Sequence, residues 1–246
     1  MEDPDWIEIA YLFDEKPSLE AYKVLFNSLP QNPGPEYDAR EFDIRYTDQD
    51  DGQDRSIFAE SDKAVEALTT SEYCSVEVWL DRYGIDIGFD KNGLGSPNYS
   101  ATPYLNFATT IYSFQNSDDN RNLEEYKERR REFVEILSQS ANILEPKWGF
   151  GRRGGLAIGE NETVEELADR TCPPLYEYNV FRSETVEAIG RDRVLSAPAW
   201  YVEELASGGV FMTVREPPKQ CAPHIEACTD VAEHLGLELA TPERYH

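Results

Sequence analysis

Between Asn122 and Leu144 the apolar residues Leu123, Tyr126, Phe133, Val134, Leu137, Ala141 and Leu144 recur at spacings of three, four and seven. That is the signature of one long amphipathic helix with a continuous apolar stripe. Asn122 can cap its start with Glu125 as the reciprocal partner, and Pro146 stops it. A stripe of this length needs a partner surface as long as itself, so the helix is the central packing element. Arg130 falls inside the stripe, where a guanidinium must either run out to solvent or meet a carboxylate.

The surface to match it comes from alternating segments. Trp6–Phe13, Phe42–Tyr46, Val76–Leu80, Ile85–Phe89 and the aromatic, β-branched run Tyr104–Phe114 read as strands. Val76–Leu80 and Ile85–Phe89 are joined by Asp81-Arg82-Tyr83-Gly84 as a hairpin. Helices are predicted from the Ser18 cap to Leu29, at Ser61–Thr70, Ser183–Ile189 and Pro198–Ala206, and from Pro223 to Leu235 with Gly236 as stop. Loops are predicted at the QNPGP segment, at Asn92–Pro103 and at Asn116–Asn120. Trp148 and Phe150 form a short strand, Gly151–Gly155 a flexible basic turn, Leu156–Ile158 and Val210–Val214 further strands. The sum is α+β, a mostly antiparallel sheet with helices packed on it. Pro173-Pro174 divides a larger part, 1–172, from a smaller C-terminal part, 173–246, packed as one unit.

Charge bears on the partner. The chain of 246 residues carries 48 acids against 23 bases, a net of −25, yet 40% apolar residues are enough for a core. Two readings compete: a halophilic surface suited to a salt-rich cytosol, or an acidic patch that docks a basic partner. The even spread of acids and the scarcity of Lys favour the first. Nucleic acid is not an expected ligand, since phosphate binding needs a basic face. No apolar run is long enough for a membrane span and no secretory leader is evident, so a cytoplasmic chain is expected.

Catalytic chemistry has little to build on. Three histidines, no GxSxG elbow and no phosphate or dinucleotide loop argue against an enzyme and leave no cofactor expected. The acidic loop Asp48–Asp54 lacks the twelfth-position acid and flanking helices of a calcium site. Cys221, His224, Cys228 and His234 have ligand-like spacing, but His234 lies about 240° round the helix from Cys228, off the face of that pair. The four cysteines, Cys74 and Cys172 included, are expected as buried thiols.

What remains is surface. The segment 121–160 is the one basic island, with a net of +1. Arg129, Arg130, Arg131, Arg152 and Arg153 could line one concave face that grips an acidic ligand, or serve the helix alone. Trp148, Trp200 and Tyr201, between glycine and proline turns, are either core or anchors for a protein partner.

Two stretches carry a family resemblance. One is the long helix followed by Asn142-Ile-Leu-Glu-Pro-Lys-Trp-Gly-Phe-Gly151. The other is Tyr178-Asn-Val-Phe-Arg182, then Ala188-Ile-Gly-Arg-Asp-Arg-Val-Leu-Ser-Ala-Pro198, Leu205-Ala-Ser-Gly-Gly-Val-Phe-Met-Thr-Val214 and a helix ending His234-Leu-Gly-Leu237. Together, over about residues 122–237, they resemble the immunity proteins of bacterial polymorphic toxin systems, in the group that holds the type VI immunity family. The resemblance implies a compact, non-enzymatic protein that neutralises a toxin domain by binding it. The alternative is a small-molecule-binding protein or enzyme with a pocket beside the 148–153 turn and the 210–214 strand.

Overall fold

Alternating polar and apolar residues turn much of the chain into strands of a single sheet. The computed structural model describes residues 6–29, 41–48, 50–80, 83–90, 103–114, 123–154, 156 and 163–240. In order the elements are β1 (Trp6–Leu12), α1 (Leu19–Ser28), β2 (Phe42–Thr47), β3 (Asp54–Ala59), α2 (Ser61–Thr70), β4 (Tyr73–Trp79), β5 (Gly84–Asp90), β6 (Tyr104–Thr110), a 3₁₀ turn (Ile111–Ser113) and α3 (Leu123–Leu144). There follow β7 (Trp148–Arg153), α4 (Val164–Ala168), β8 (Tyr178–Phe181), α5 (Ser183–Ile189), α6 (Arg191–Leu195), β9 (Tyr201–Glu204), β10 (Val210–Thr213) and α7 (Glu226–Leu235). The fold is α+β. Among the described residues ten strands form one sheet in the order β3-β2-β4-β5-β6-β1-β7-β8-β10-β9, and every strand pair is antiparallel. Pro173-Pro174 lies between α4 and β8, and β8 pairs with β7 in that same sheet.

The two faces of the sheet are covered differently. Ile7, Ile9 and Tyr11 of β1, with Leu105, Phe107, Val76, Ile87, Tyr178 and Phe211, meet α1, α2 and α3 in the largest core. The stripe of α3 is buried as its spacing predicts: Phe133, Val134, Leu137, Ala141 and Leu144 all lie in this core. Tyr11 fixes the register of helix on sheet, its hydroxyl donating to Leu137 O at 2.7 Å. On the other face Phe181, Val210 and Met212 pack under α5, α6 and α7. Ala10, Leu12, Trp148 and Phe150 pack under α4 and Tyr176. That second layer reaches no further than Tyr104 at the start of β6. Over β3, β2, β4, β5 and β6 no described helix lies on this face.

Several predicted elements take another form. The flexible turn predicted from Gly151 is strand as far as Arg153. An added Cβ on Gly151 would stand 2.5 Å from Ile9 Cγ1 and 2.8 Å from Glu8 O, so the glycine is there for close strand approach. The helix predicted over Pro198–Ala206 is instead the edge strand β9, paired with β10 from Tyr201 to Glu204. Asp54–Ala59, for which no element is predicted, pairs with β2 over its whole length. Asn122, residues 31–35, 81–82, 92–102 and 116–120, Gly155 and Ile158 lie outside the described residues.

Candidate docking face

Among the described residues, the half of the sheet with no helix over this face is where polar side chains gather. Register places one residue from each strand on a single cross-strand row: Phe58, Asp43, Glu77, Asp86, Ala108, Glu8 and Arg152, from β3 through to β7. Four of these seven are carboxylates, and three of the four are immediate neighbours. Directly opposed side chains sit about 4.5–5.5 Å apart at Cβ, a separation at which like charges repel.

Local donors relieve part of that repulsion. Arg45, two residues along β2, donates to Asp43 at 3.1 Å and to Glu77 at 3.4 Å. The Ser56 hydroxyl reaches Asp43 at 3.3 Å, and that of Ser75 reaches Asp86 at 3.2 Å. Glu8 accepts from Asn106 Nδ2 at 2.7 Å and from the Leu156 N–H at 3.0 Å. The relief is incomplete. Burial holds Glu8 and Asp86 above the usual carboxylate range despite these bonds. Glu77 is raised by burial first, then by Asp86 and Asp43 beside it. An acid whose folded pKa is raised opposes folding as pH climbs through that pKa. At neutral pH this row therefore works against the fold, and a cation laid on it would remove the penalty.

Around the row stand aromatic side chains. Trp6, Phe58, Tyr73 and Trp79 all point from this face, between 36% and 54% exposed. Large half-exposed aromatics beside charge are the residue types that anchor protein interfaces. Between them a depression of about 250 Å³ is lined by Glu8, Tyr73, Ser75, Asp86, Asn106 and Ala108. The Oδ1 of Asn106 is buried there and accepts no hydrogen bond.

The residues singled out in the sequence lie elsewhere, and most are already engaged. Trp148 is 1% exposed, its ring stacked on Phe150 at 4.4 Å, so it is core and cannot be an anchor. Arg130 donates to Phe114 O at 2.7 and 3.2 Å and to Glu216 at 2.9 Å, which satisfies a guanidinium set in an apolar stripe. Burial pushes Glu216 up, but bonds from Lys219 and Arg130 outweigh it and hold the carboxyl below its usual range. Arg129 pairs with Glu125 and covers the Tyr126 ring, while Arg131 pairs with Glu135 at 3.0 Å. Adjacent strand residues face opposite ways, so Arg152 lies on the Glu8 side of β7 and Arg153 on the other. The five arginines do not make one concave face. Trp200 and Tyr201 are at the opposite edge of the sheet, Trp200 being 39% exposed and Tyr201 packed 6.0 Å from Phe211.

The ligand-like cysteines have another partner: each other. Cys221 and Cys228 form a disulfide, with Cα atoms 5.7 Å apart where the chain turns into α7. Neither thiolate is open to a metal in that state, and His234 points its Nε2 at Arg193 O, 2.9 Å away. His224 is exposed in the turn before α7. Cys74 is a buried thiol as expected, whereas Cys172 is exposed. Among the described residues no group of three or more acidic, His or Cys side chains is placed to hold a metal, and no helix is long and apolar enough to cross a membrane.

The pocket expected beside 148–153 and 210–214 is filled by side chains. Trp148, Phe150 and Phe211 are at most 1% exposed, and a Cβ on Gly149 would come within 2.6 Å of Val180.

No family model matches the chain, and no curated protein matches it. Among solved structures it is similar to the Pseudomonas aeruginosa T6SS protein PA0821, with a TM-score of 0.52 and 12% identity over 96% of this chain and 74% of that one. Identity that low makes the likeness one of fold.

Proposed function

We propose that this chain is a non-enzymatic binding protein that neutralises a protein partner, an immunity protein acting on a toxin domain in a type VI secretion setting. The observation that carries this reading is the half of the sheet that no described helix covers on one face. A row of carboxylates is kept there at an electrostatic cost, ringed by four exposed aromatics, and a surface of that kind is suited to being covered by another protein. The sequence resemblance over 122–237 and a fold shared with a T6SS protein support the same reading. The charge of −25 would steer a basic partner to the face and speed association.

The test is protection. The reading frame next to this gene, expressed alone in a bacterial host, should arrest growth, and co-expression of this chain should restore it with recovery of a 1:1 complex. Unrelieved arrest together with no complex between the purified proteins would overturn the reading.

Compartment is a separate question. A cytoplasmic chain is the expectation from sequence, but a Cys221–Cys228 bond suits an oxidising compartment. On that bond we propose an oxidising compartment as the site of action, in place of the cytoplasm expected from sequence. Alkylating thiols in intact cells before lysis should label Cys74 and Cys172 only, after denaturation in alkylating agent. Label on all four cysteines would return the protein to the cytoplasm.

A further inference from the structure

We propose that the depression over Ala108 is a slot for one arginine side chain presented by the partner protein. The inference rests on the binding-protein reading above and specifies what the partner must supply.

The geometry starts from the smallest side chain in the row. Ala108 of β6 is opposed by Asp86 on one side and Glu8 on the other. With strands about 4.8 Å apart, these two carboxylates stand two spacings from each other across a residue that fills almost none of the gap. Gly88, one row along on β5, adds no side chain, and Asn106 beside it on β6 forms part of the wall. The space is flanked by acceptors on both sides and bordered by the Tyr73 ring. Its wall also holds Asn106, whose Nδ2 donates to Glu8 at 2.7 Å and so fixes that carboxylate at the edge of the space.

Two carboxylates facing each other across a flat gap suit a planar fork of donors better than a point charge. Guanidinium offers five N–H groups in one plane, sheds water more readily than ammonium and lies well against aromatic faces. Lysine could satisfy either carboxylate but not span the pair. Trp6 and Trp79, exposed on the same face, would then exclude water around the buried ion pair, which strengthens it. The slot also adds a cation to a row whose charge Arg45 and Arg152 offset only in part, since burial still holds Glu8, Glu77 and Asp86 up.

The experiment uses two capped tripeptides, Gly-Arg-Gly and Gly-Lys-Gly, titrated into the full chain while amide resonances of Gly88, Asn106 and Ala108 are followed. The Arg peptide should shift those three amides and bind about tenfold tighter than the Lys peptide. Ala108→Leu fills the gap and leaves every charge in place, so it should abolish the shifts. E8Q/D86N should do the same, whereas E226Q/E233Q, which removes two exposed acids on α7, should not. Thermal unfolding of each variant confirms that it is folded. Equal binding of the two peptides, or wild-type binding by A108L, would show attraction by the general negative field and overturn the slot. Growth protection separates this from the broader reading. If the wild-type chain protects and A108L protects as well, the slot is wrong and the immunity reading stands. If the wild-type chain fails to protect, that reading falls, and the titration still decides the slot.

Discussion

Replacing Trp148 with alanine should lower the unfolding free energy by about 3–5 kcal/mol, the range for large aromatics removed from a packed core. The indole stacks on Phe150 at an interplanar angle of 14° and meets the Tyr176 ring edge-on at 5.9 Å. It lies between Leu12 of β1 and Phe181 of β8 in the cross-strand row. Its Nε1 has no hydrogen-bond partner, so truncation would break no polar contact and the loss would be one of packing and cavity. The other face of the strand carries no apolar side chain to compensate. Gly149 and Gly151 turn bare backbone toward Val180 and Ile9, and Trp148 and Phe150 supply the buried area of the strand. Urea denaturation of wild type and W148A measures the difference. A change below about 1 kcal/mol, accompanied by loss of partner binding, would mean that Trp148 is a surface anchor after all.

The same strand shows why part of the fold was readable and part was not. The buried face of α3 follows from the spacing of its apolar residues, because a 3.6-residue period leaves one choice of face. β7 carries the same local signal as a turn, since glycine serves both a tight bend and a close backbone approach, and only the neighbouring strands decide between them. β3 has no apolar alternation to detect: as an edge strand with its side chains largely exposed, it is held by its backbone pairing with β2. β9 looks like a helix between Pro198 and Gly208, yet Tyr201–Glu204 pairs with β10 because tertiary context overrides so short a preference.

The docking face was illegible for a deeper reason. Asp43, Glu77, Asp86 and Glu8 are each an ordinary polar residue at an outward strand position, and among 48 acids none stands out. Register alone brings them into one row. The basic residues drew attention because they are few, but Glu125 with Arg129 and Arg131 with Glu135 are i, i+4 pairs whose mutual neutralisation could be read from spacing. The minority charge marked where ion pairs form within the chain. The majority charge, only partly offset where no described helix covers the sheet, marks where a partner would help.

A second large effect is expected from Glu177, which is buried and ties two parts of the structure together. One carboxyl oxygen accepts the Arg153 N–H at 2.7 Å and the other accepts the Cys221 N–H at 2.8 Å, so β7 and the disulfide loop share one anchor. Burial raises its pKa from 4.5 to about 7, against the two backbone donors and the nearby charges of Arg152 and Arg153. Between those values the folded chain holds a proton that the unfolded chain has released, so stability must fall as pH rises from 4.5 to about 7. The shift corresponds to about 3 kcal/mol lost across the window from this one group. Glu177→Gln isolates it from the rest of a titrating surface. Glutamine keeps one acceptor and sets its NH₂ against the other backbone donor, so the variant should be less stable than wild type by about 1–3 kcal/mol at the acid end. Being unable to ionise, it should then gain on wild type by about 3 kcal/mol as pH approaches neutrality, narrowing the gap or reversing it. Denaturant unfolding of both proteins at intervals across the window gives two curves. Curves that run parallel would show that Glu177 titrates alike in the folded and unfolded chains, and that its burial imposes no proton linkage on the anchor.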